Sequence, residues 1–157
     1  MKTAAKDIMN FDLTSVLEDD LVQDAIHVLY SHNLQGIPVL DEDWNLVGFL
    51  SESDVLKAAV PTYLEVLARS SFLEDEEDLL LSRFRSFGNK KVGDFMNRNP
   101  IFVEPETSLM AVADLMIRKS VKRLPVVENG KLAGMISREA FCEFLMDESV
   151  SRGAEQG

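Results

Sequence analysis

The stretch GIPVLDEDWNLVGFLSESD, residues 36–54, decides the fold, because the chain repeats its pattern as RLPVVENGKLAGMISREA at residues 123–140. In each copy a short apolar run that contains a proline meets an acidic or glycine-containing turn. A second apolar run with an internal glycine follows, and a serine closes it. Short apolar runs joined by a tight turn predict two strands, and the serine predicts the start of a helix.

The residues upstream of each copy also repeat. The phrase Asp-Ile-Met-Asn at 7–10 returns as Asp-Phe-Met-Asn at 94–97. In each half a brief extended segment follows, and then an apolar face at helical spacing predicts a helix. We expect Asp20 to cap the first of these helices and Thr107 to cap the second. Each half is therefore predicted to run strand, helix, strand, strand, helix.

Composition limits the class of protein. The chain has 157 residues, of which 46% are hydrophobic, so it can bury a core. Its formal net charge of -11 opposes a nucleic-acid partner and an anionic membrane, so a phosphate-bearing ligand needs a local basic cluster. The single cysteine, the absence of a signal-peptide pattern and the absence of a membrane-length apolar run predict a cytoplasmic location. No His, Cys and carboxylate spacing predicts a metal site.

An insert separates the two halves. Its apolar residues, Leu64, Leu79 and Phe84 among them, predict helices, and its acidic run at 74–78 predicts a solvated face. A docking patch for a partner is the alternative interpretation of the acidic run. The predicted organisation is a first motif at 1–59, a helical acidic insert at 60–91, a second motif at 92–150 and a flexible tail at 151–157.

Ser51 and Asp54 lie where the second strand of the first copy gives way to a helix. The backbone N–H groups and the positive end of that helix favour an anion there. Asp54, one turn into the helix, can accept hydrogen bonds from paired hydroxyls such as those of a ribose. The alternative is a capping box, in which the two side chains bond the first backbone N–H groups of the helix. The two interpretations are compatible, because one carboxylate can serve the empty helix and a bound sugar.

The doubled pattern resembles a tandem pair of CBS domains, through Pro38 to Asp41 with Ser51-x-x-Asp54 and through Pro125 to Glu128 with Ser137. The resemblance implies an α/β (α+β) fold of two pseudo-symmetric motifs, each β-α-β-β-α, packed through their sheets around a helical insert. It implies two clefts for adenosine-containing ligands, namely AMP, ADP, ATP or S-adenosylmethionine. In this family the aspartate usually holds the ribose hydroxyls, and the serine lies near ribose and phosphate.

Carried over residue by residue, the resemblance predicts one complete cleft. Around an adenosine, its residues are Asp54, Ser51, Ser53 and Phe49, which face Ile101 and Phe102, with Lys122 and Arg123 before Pro125 reaching phosphate and Arg138 adding charge. The other cleft has Ala140 at the ribose position and no basic residue before Pro38. Loss of one charge-assisted hydrogen bond weakens binding roughly ten- to a hundredfold, so we expect this cleft to be weak or empty. Its remaining lining is Thr14, Ser15, Ile37, Met135 and Ser137.

The resemblance implies a stand-alone regulatory sensor that signals to an effector protein, which the sequence does not identify, through a conformational shift of a homodimer. We expect the last helix of each half to expose a dimer face, with burial of the same residues in the core as the alternative: Val55, Leu56, Phe141 and Leu145. No residue is predicted to be catalytic, because the cleft offers no general base and no metal cage. The rival prediction is a dimeric module that binds no ligand and docks a partner through its acidic insert.

Overall fold

The computed structural model describes residues 2–60 and 76–156. The predictions for residues 61–75 of the insert, including Leu64 and the start of the acidic run, lie outside this part of the chain. The described helices and strands are α1 (Ala5–Ile8), β1 (Val16–Leu17), α2 (Val22–Ser31), β2 (Gly36–Leu40), β3 (Leu46–Ser51), α3 (Glu52–Ala59), α4 (Glu76–Gly88), a 3-10 turn (Val92–Asp94), α5 (Leu109–Arg118), β4 (Arg123–Glu128), β5 (Lys131–Ser137) and α6 (Arg138–Gln156).

The chain divides into two compact units, and each unit includes the Asp-x-Met-Asn phrase from the other half of the sequence. Unit 1 comprises residues 1–13, 44–46 and 101–157, and unit 2 comprises residues 14–43 and 47–100. The repeated Asp-x-Met-Asn phrase at 7–10 thus belongs with the second motif, and the copy at 94–97 belongs with the first. Within the described chain the predicted order of strand, helix, strand, strand, helix is confirmed for the first motif.

Unit 2 is built on a three-stranded sheet in the order β1-β2-β3. Strand β1 is parallel to β2, with Val16 opposite Val39, and all five residues of β2 are buried. Below the sheet lies an apolar core that includes Ile37, Leu50 and Val55. Burial of such aliphatic side chains supplies most of the stability of a unit of this size. The apolar runs that the sequence repeats are therefore the core strands of the unit.

Unit 1 contains the second copy of the hairpin. Strands β4 and β5 are antiparallel, and the backbone of Val103 bridges Val126 in parallel where unit 2 has β1. The hairpin turn is Asn129-Gly130, and both residues have positive φ angles of 53° and 82°. Asn-Gly is the sequence that a two-residue turn of this kind favours. The second motif therefore reaches the same layout with its first strand reduced to one bridge.

The repeated glycines of β3 and β5 are sites of close approach. A Cβ on Gly48 would meet the side chain of Met96 and, at 2.9 Å, the carbonyl oxygen of Asn97. A Cβ on Gly134 would meet the carbonyl oxygen of Asn10 at 2.7 Å, beside Met9. Each Asp-x-Met-Asn phrase therefore lies on the glycine of the strand in its own unit, which explains why phrase and glycine repeat together.

Both predicted helix caps are wrong. The N-cap of α2 is Leu21, because the carbonyl oxygen of Lys90 accepts the Val22 N–H at 2.8 Å in place of a side chain. Asp20 instead accepts the Leu17 N–H at 2.9 Å in the preceding turn. Helix α5 is capped by Ser108, whose hydroxyl accepts the Ala111 N–H at 3.2 Å.

The dimer-face prediction is wrong for two of its four residues. Val55 and Phe141 are buried in the cores of their units, as the alternative held. Leu56 is 49% exposed and Leu145 is also exposed. Helix α6 continues to Gln156, so residues 151–156, which we predicted as a flexible tail, are helical.

The described part of the insert belongs to unit 2. Phe84 and Phe87 of α4 pack against its core, and the Phe87 ring lies 4.8 Å from that of Phe95. Arg83 donates to the carbonyl oxygen of Ala59, the last residue of α3, at 3.0 Å. The first turn of α4, Glu76 to Asp78, is acidic and exposed, as expected of a solvated face.

Candidate functional site

The junction of β3 and α3 holds the predicted ribose-binding aspartate. Ser51 is the N-cap of α3, and its hydroxyl accepts the Asp54 N–H at 3.2 Å. The Asp54 carboxylate accepts the Ser51 N–H through Oδ2 at 2.9 Å. The capping-box interpretation is therefore confirmed. No hydrogen bond from the described residues reaches the other carboxylate oxygen, Oδ1, so this half-buried group can still accept hydroxyls.

Phe49 and Ser53 flank this junction on β3 and α3. The backbone of Phe49 pairs with Asn97, through hydrogen bonds of 3.0 and 2.9 Å, and this pairing fixes the end of β3. The half-buried Phe49 ring occupies the space that a side chain on Gly36 would need. Ser53 is exposed on the first turn of α3. These residues place an aromatic ring, a hydroxyl and a carboxylate at one end of unit 2.

The equivalent junction in unit 1 has half of this arrangement. The Ser137 hydroxyl accepts the Ala140 N–H at 3.1 Å, as Ser51 does in unit 2. Ala140 has no carboxylate to return a hydrogen bond or to receive a sugar. The sequence difference between the two copies is therefore a chemical difference at otherwise similar helix starts.

Unit 1 brings the predicted basic residues together. Arg123 at the start of β4 lies opposite Ser137 at the end of β5, and the Arg138 N–H donates to the Lys122 carbonyl oxygen at 2.9 Å. Pro125 is buried, and its carbonyl oxygen accepts the Val103 N–H at 3.0 Å. The hairpin therefore brings the backbones of Lys122, Arg123 and Arg138 close together on a chain with a net charge of -11, and we call these three residues the basic cluster.

The members of the basic cluster differ in their surroundings. Lys122 is exposed and Arg138 is half-buried, and neither forms an ion pair with a described residue. The Arg123 side chain is only 15% exposed, and its guanidinium lies 3.7 Å from the Asp12 carboxylate. Burial lowers the pKa of Arg123, while the charge of Asp12 opposes this effect. Asp12 was missed by the sequence predictions, because no spacing links positions so far apart.

The predicted adenine wall is also in unit 1. Ile101 packs partly buried against its core, whereas Phe102 is exposed. Phe102 lines a surface pocket whose other residues are Glu104, Pro105, Glu106, Val127, Glu128, Asn129 and Gly130. Three glutamates make this pocket unsuitable for a phosphate, because like charges repel. None of the three residues of the basic cluster lines this pocket, so the pocket and the cluster do not coincide.

The residues predicted for the weaker cleft differ in exposure. Ile37 and Met135 are completely buried, and Met135 also pairs through its backbone with Asn10. Thr14, Ser15 and Ser137 are half-buried. Each predicted cleft takes residues from both units, so its combination of residues stays a prediction.

Among residues 2–60 and 76–156, no three His, Cys, Asp or Glu side chains are grouped as a metal site requires. In the same part of the chain, no helix has both the length and the apolar character needed to cross a membrane.

Comparison with known proteins identifies the repeated unit. The CBS domain model matches residues 5–61 and 92–147. The uncharacterized protein MJ1426 of Methanocaldococcus jannaschii is 32% identical over 154 residues, which cover 90% of each chain. The chloroplastic CBS domain-containing protein CBSX1 of Arabidopsis thaliana is 34% identical over 139 residues, covering 81% of this chain and 56% of that protein.

A solved structure supports the same assignment. The crystal structure of CBSX2 in complex with AMP is 30% identical, has a TM-score of 0.69, and covers 94% of this chain and 98% of that one. A second crystal structure of CBSX2 from Arabidopsis thaliana has a TM-score of 0.76 at 28% identity. The predicted α/β fold of two motifs is confirmed. The chain belongs to the CBS domain family, as a tandem pair.

Proposed function

We propose that this chain is a regulatory module that binds an adenosine-containing ligand, with AMP as the first candidate and ADP, ATP and S-adenosylmethionine as the others. The observation that carries the proposal is the similarity to CBSX2, whose structure was solved with AMP, over 94% of this chain. The net charge of -11 makes the basic cluster of unit 1 the favoured place for the phosphate of such a ligand.

The ribose is proposed to bind at the start of α3. Asp54 accepts the Ser51 N–H with one carboxylate oxygen, so the oxygen Oδ1 is available for the ribose hydroxyls. Ser51 and Ser53 add hydroxyls beside it, and Phe49 adds an apolar surface. Hydrogen bonds to a charged acceptor contribute about 1.5–3 kcal/mol each, so the carboxylate is the largest polar contribution expected here.

The adenine and the phosphate are proposed to contact residues of unit 1. Ile101 and Phe102 would line the adenine, and Lys122, Arg123 and Arg138 would attract the phosphate, next to Pro125. The guanidinium of Arg123 suits a phosphate because its planar N–H groups match two oxygens at once. The combination of these residues with Asp54 rests on the resemblance to CBS pairs.

The second cleft is proposed to bind weakly or not at all. Ala140 replaces the carboxylate, and no basic residue precedes Pro38. We propose one effective ligand site per chain.

The ligand is proposed to act by shifting a conformational equilibrium of a homodimer, which requires tighter binding to one arrangement than to the other. Leu56 of α3 and Leu145 and Met146 of α6 are exposed apolar residues suited to the dimer face. The module is proposed to have no catalytic role and to act on a separate effector protein. We propose a cytoplasmic location for this chain; the relative CBSX1 of Arabidopsis thaliana is chloroplastic.

A ligand panel tests the proposal. Thermal unfolding should be measured with adenosine, AMP, ADP, ATP and S-adenosylmethionine, together with mass spectrometry of whatever co-purifies. A shift of several degrees with at least one of them, lost in Asp54→Ala, is the expected result. No shift with any of them would contradict the proposal and would favour the rival module that docks a partner through its acidic insert.

A further inference from the structure

Asp12 forms an ion pair with Arg123 inside unit 1. The carboxylate oxygen Oδ2 of Asp12 lies 3.7 Å from Nη2 of Arg123. The Asp12 N–H donates to Oδ1 of Asn10 at 2.9 Å. Asn10 in turn pairs with the backbone of Met135 on β5, through hydrogen bonds of 2.8 and 3.0 Å. The opening segment of the chain is therefore fixed on β5 in a position that holds a carboxylate beside the guanidinium.

The burial of Arg123 strengthens its electrostatic interaction with Asp12. The Arg123 side chain is 15% exposed, whereas that of Asp12 is 50% exposed. Burial lowers the pKa of Arg123 more than the charge of Asp12 raises it. The positive charge of Arg123 is therefore held largely away from solvent, where its interaction with a nearby anion is stronger than at the surface.

A phosphate that reaches Arg123 would also meet the negative charge of Asp12. Two anions that contact the same guanidinium lie close enough to repel each other. Lys122 and Arg138 lie in the same cluster and would favour the phosphate, so displacement of Asp12 does not leave the ligand without positive partners.

The first motif lacks this arrangement. In the aligned repeat, Gly36 stands where the second motif has Arg123, and Asn99 stands where the opening segment has Asp12. The ion pair is therefore not a requirement of the repeated fold. Within residues 2–60 and 76–156, it lies beside the basic cluster.

We propose that Asp12 is an internal counter-ion of Arg123 that a ligand phosphate must displace, so that Asp12 sets the preference between phosphorylated and unphosphorylated ligands. Asp12 neutralises Arg123 in the ligand-free protein and lowers the affinity for an incoming phosphate. The adenosine identity of the ligand rests on the proposed function, whereas the competition between carboxylate and phosphate does not.

The test compares Asp12→Asn with Asp114→Asn in the full chain. Asp114 is a matched control because it pairs with Arg118 at 2.8 Å and is 48% exposed, yet it lies on α5 outside the basic cluster. Titration calorimetry with AMP and with adenosine should show AMP binding about three- to fivefold tighter to Asp12→Asn, since a half-exposed ion pair is worth up to about 1 kcal/mol. Adenosine binding and both affinities of Asp114→Asn should stay within about twofold of the wild type, and Asp12→Glu should resemble the wild type.

Inorganic pyrophosphate gives a second readout that needs no adenosine site. Pyrophosphate should raise the melting temperature of Asp12→Asn more than that of the wild type, and Arg123→Gln should remove the effect. The proposed competition between the Asp12 carboxylate and phosphate would be contradicted if Asp12→Asn left the ratio of AMP to adenosine affinity unchanged or weakened AMP binding. Asp12 would then be a positioning residue. If no adenosine compound binds the wild type, the proposed function fails, and pyrophosphate alone decides: equal shifts in wild type and Asp12→Asn overturn the role of Asp12.

Discussion

At the residue scale, Asp54 has two carboxylate oxygens with different surroundings. Oδ2 is bound by the Ser51 N–H at 2.9 Å and completes the cap of α3, while Oδ1 accepts no hydrogen bond from the described residues. A helix cap and a ligand contact can therefore operate at once in one side chain. This separation allows the two roles to be tested independently.

Replacement of Asp54 by asparagine should weaken AMP binding roughly ten- to a hundredfold, because it removes the negative charge and keeps an oxygen for the cap. The melting temperature without ligand should change little. Asp7→Asn is the matched control, because the Asp7 carboxylate accepts the Ala4 N–H at 2.8 Å in the same way at the start of α1. Titration calorimetry on both variants makes the comparison. Equal losses of AMP affinity in the two would show that Asp54 acts only as a cap.

Lys122→Ala should weaken AMP more than adenosine, because Lys122 is exposed in the basic cluster and would contact only the phosphate. A loss of about threefold or more for AMP, with adenosine within about twofold, is expected of an exposed charge. Lys119→Ala removes an exposed lysine just before the cluster and serves as the control. The same loss for both ligands would argue that Lys122 supports the fold of the site and does not contact phosphate.

At the scale of elements, the strands, their junctions and the cap of α3 could be predicted from the sequence, and the caps of α2 and α5 could not. The prolines, the glycines and Ser51-x-x-Asp54 act over short distances, so their spacing carries the information. The first turn of α2 depends instead on the hydrogen bond that the Val22 N–H donates to the carbonyl oxygen of Lys90, near the end of the insert. The pairing of Asp12 with Arg123 likewise depends on residues 1–13, which belong to unit 1 with the second motif. Contacts of this kind have no local signal.

The glycines of β3 and β5 should tolerate no side chain. Gly134→Ala should lower the free energy of unfolding by about 1–3 kcal/mol, because the new Cβ would lie 2.7 Å from a backbone oxygen that cannot move easily. Gly48→Ala should behave in the same way in unit 2. Urea unfolding measures both, with Gly153→Ala as the control, since nothing lies within 4 Å of a Cβ at that helical position. The control should be neutral or slightly stabilising. A neutral Gly134→Ala would contradict the close approach of the opening segment.

At the scale of the whole molecule, the exposed apolar residues of α3 and α6 are expected to meet a second copy. Met146 is 65% exposed, and Met146→Glu should convert a dimer to a monomer by placing a charge in an apolar interface. Met110→Glu is the control, because Met110 is also strongly exposed but lies on α5. Sedimentation velocity distinguishes the outcomes. A wild-type monomer, or a dimer that survives Met146→Glu and not Met110→Glu, would place the interface elsewhere or remove it.

The unequal repeats predict unequal ligand sites. Unit 2 carries the carboxylate at its helix start, and unit 1 carries Ala140 at the matching place together with the basic cluster. Titration calorimetry of the wild-type chain with AMP tests this most directly. One site per chain is the result we predict. Two sites of equal affinity per chain would contradict it, because Ala140 would then be equivalent to Asp54, and no heat of binding would contradict the adenosine site itself.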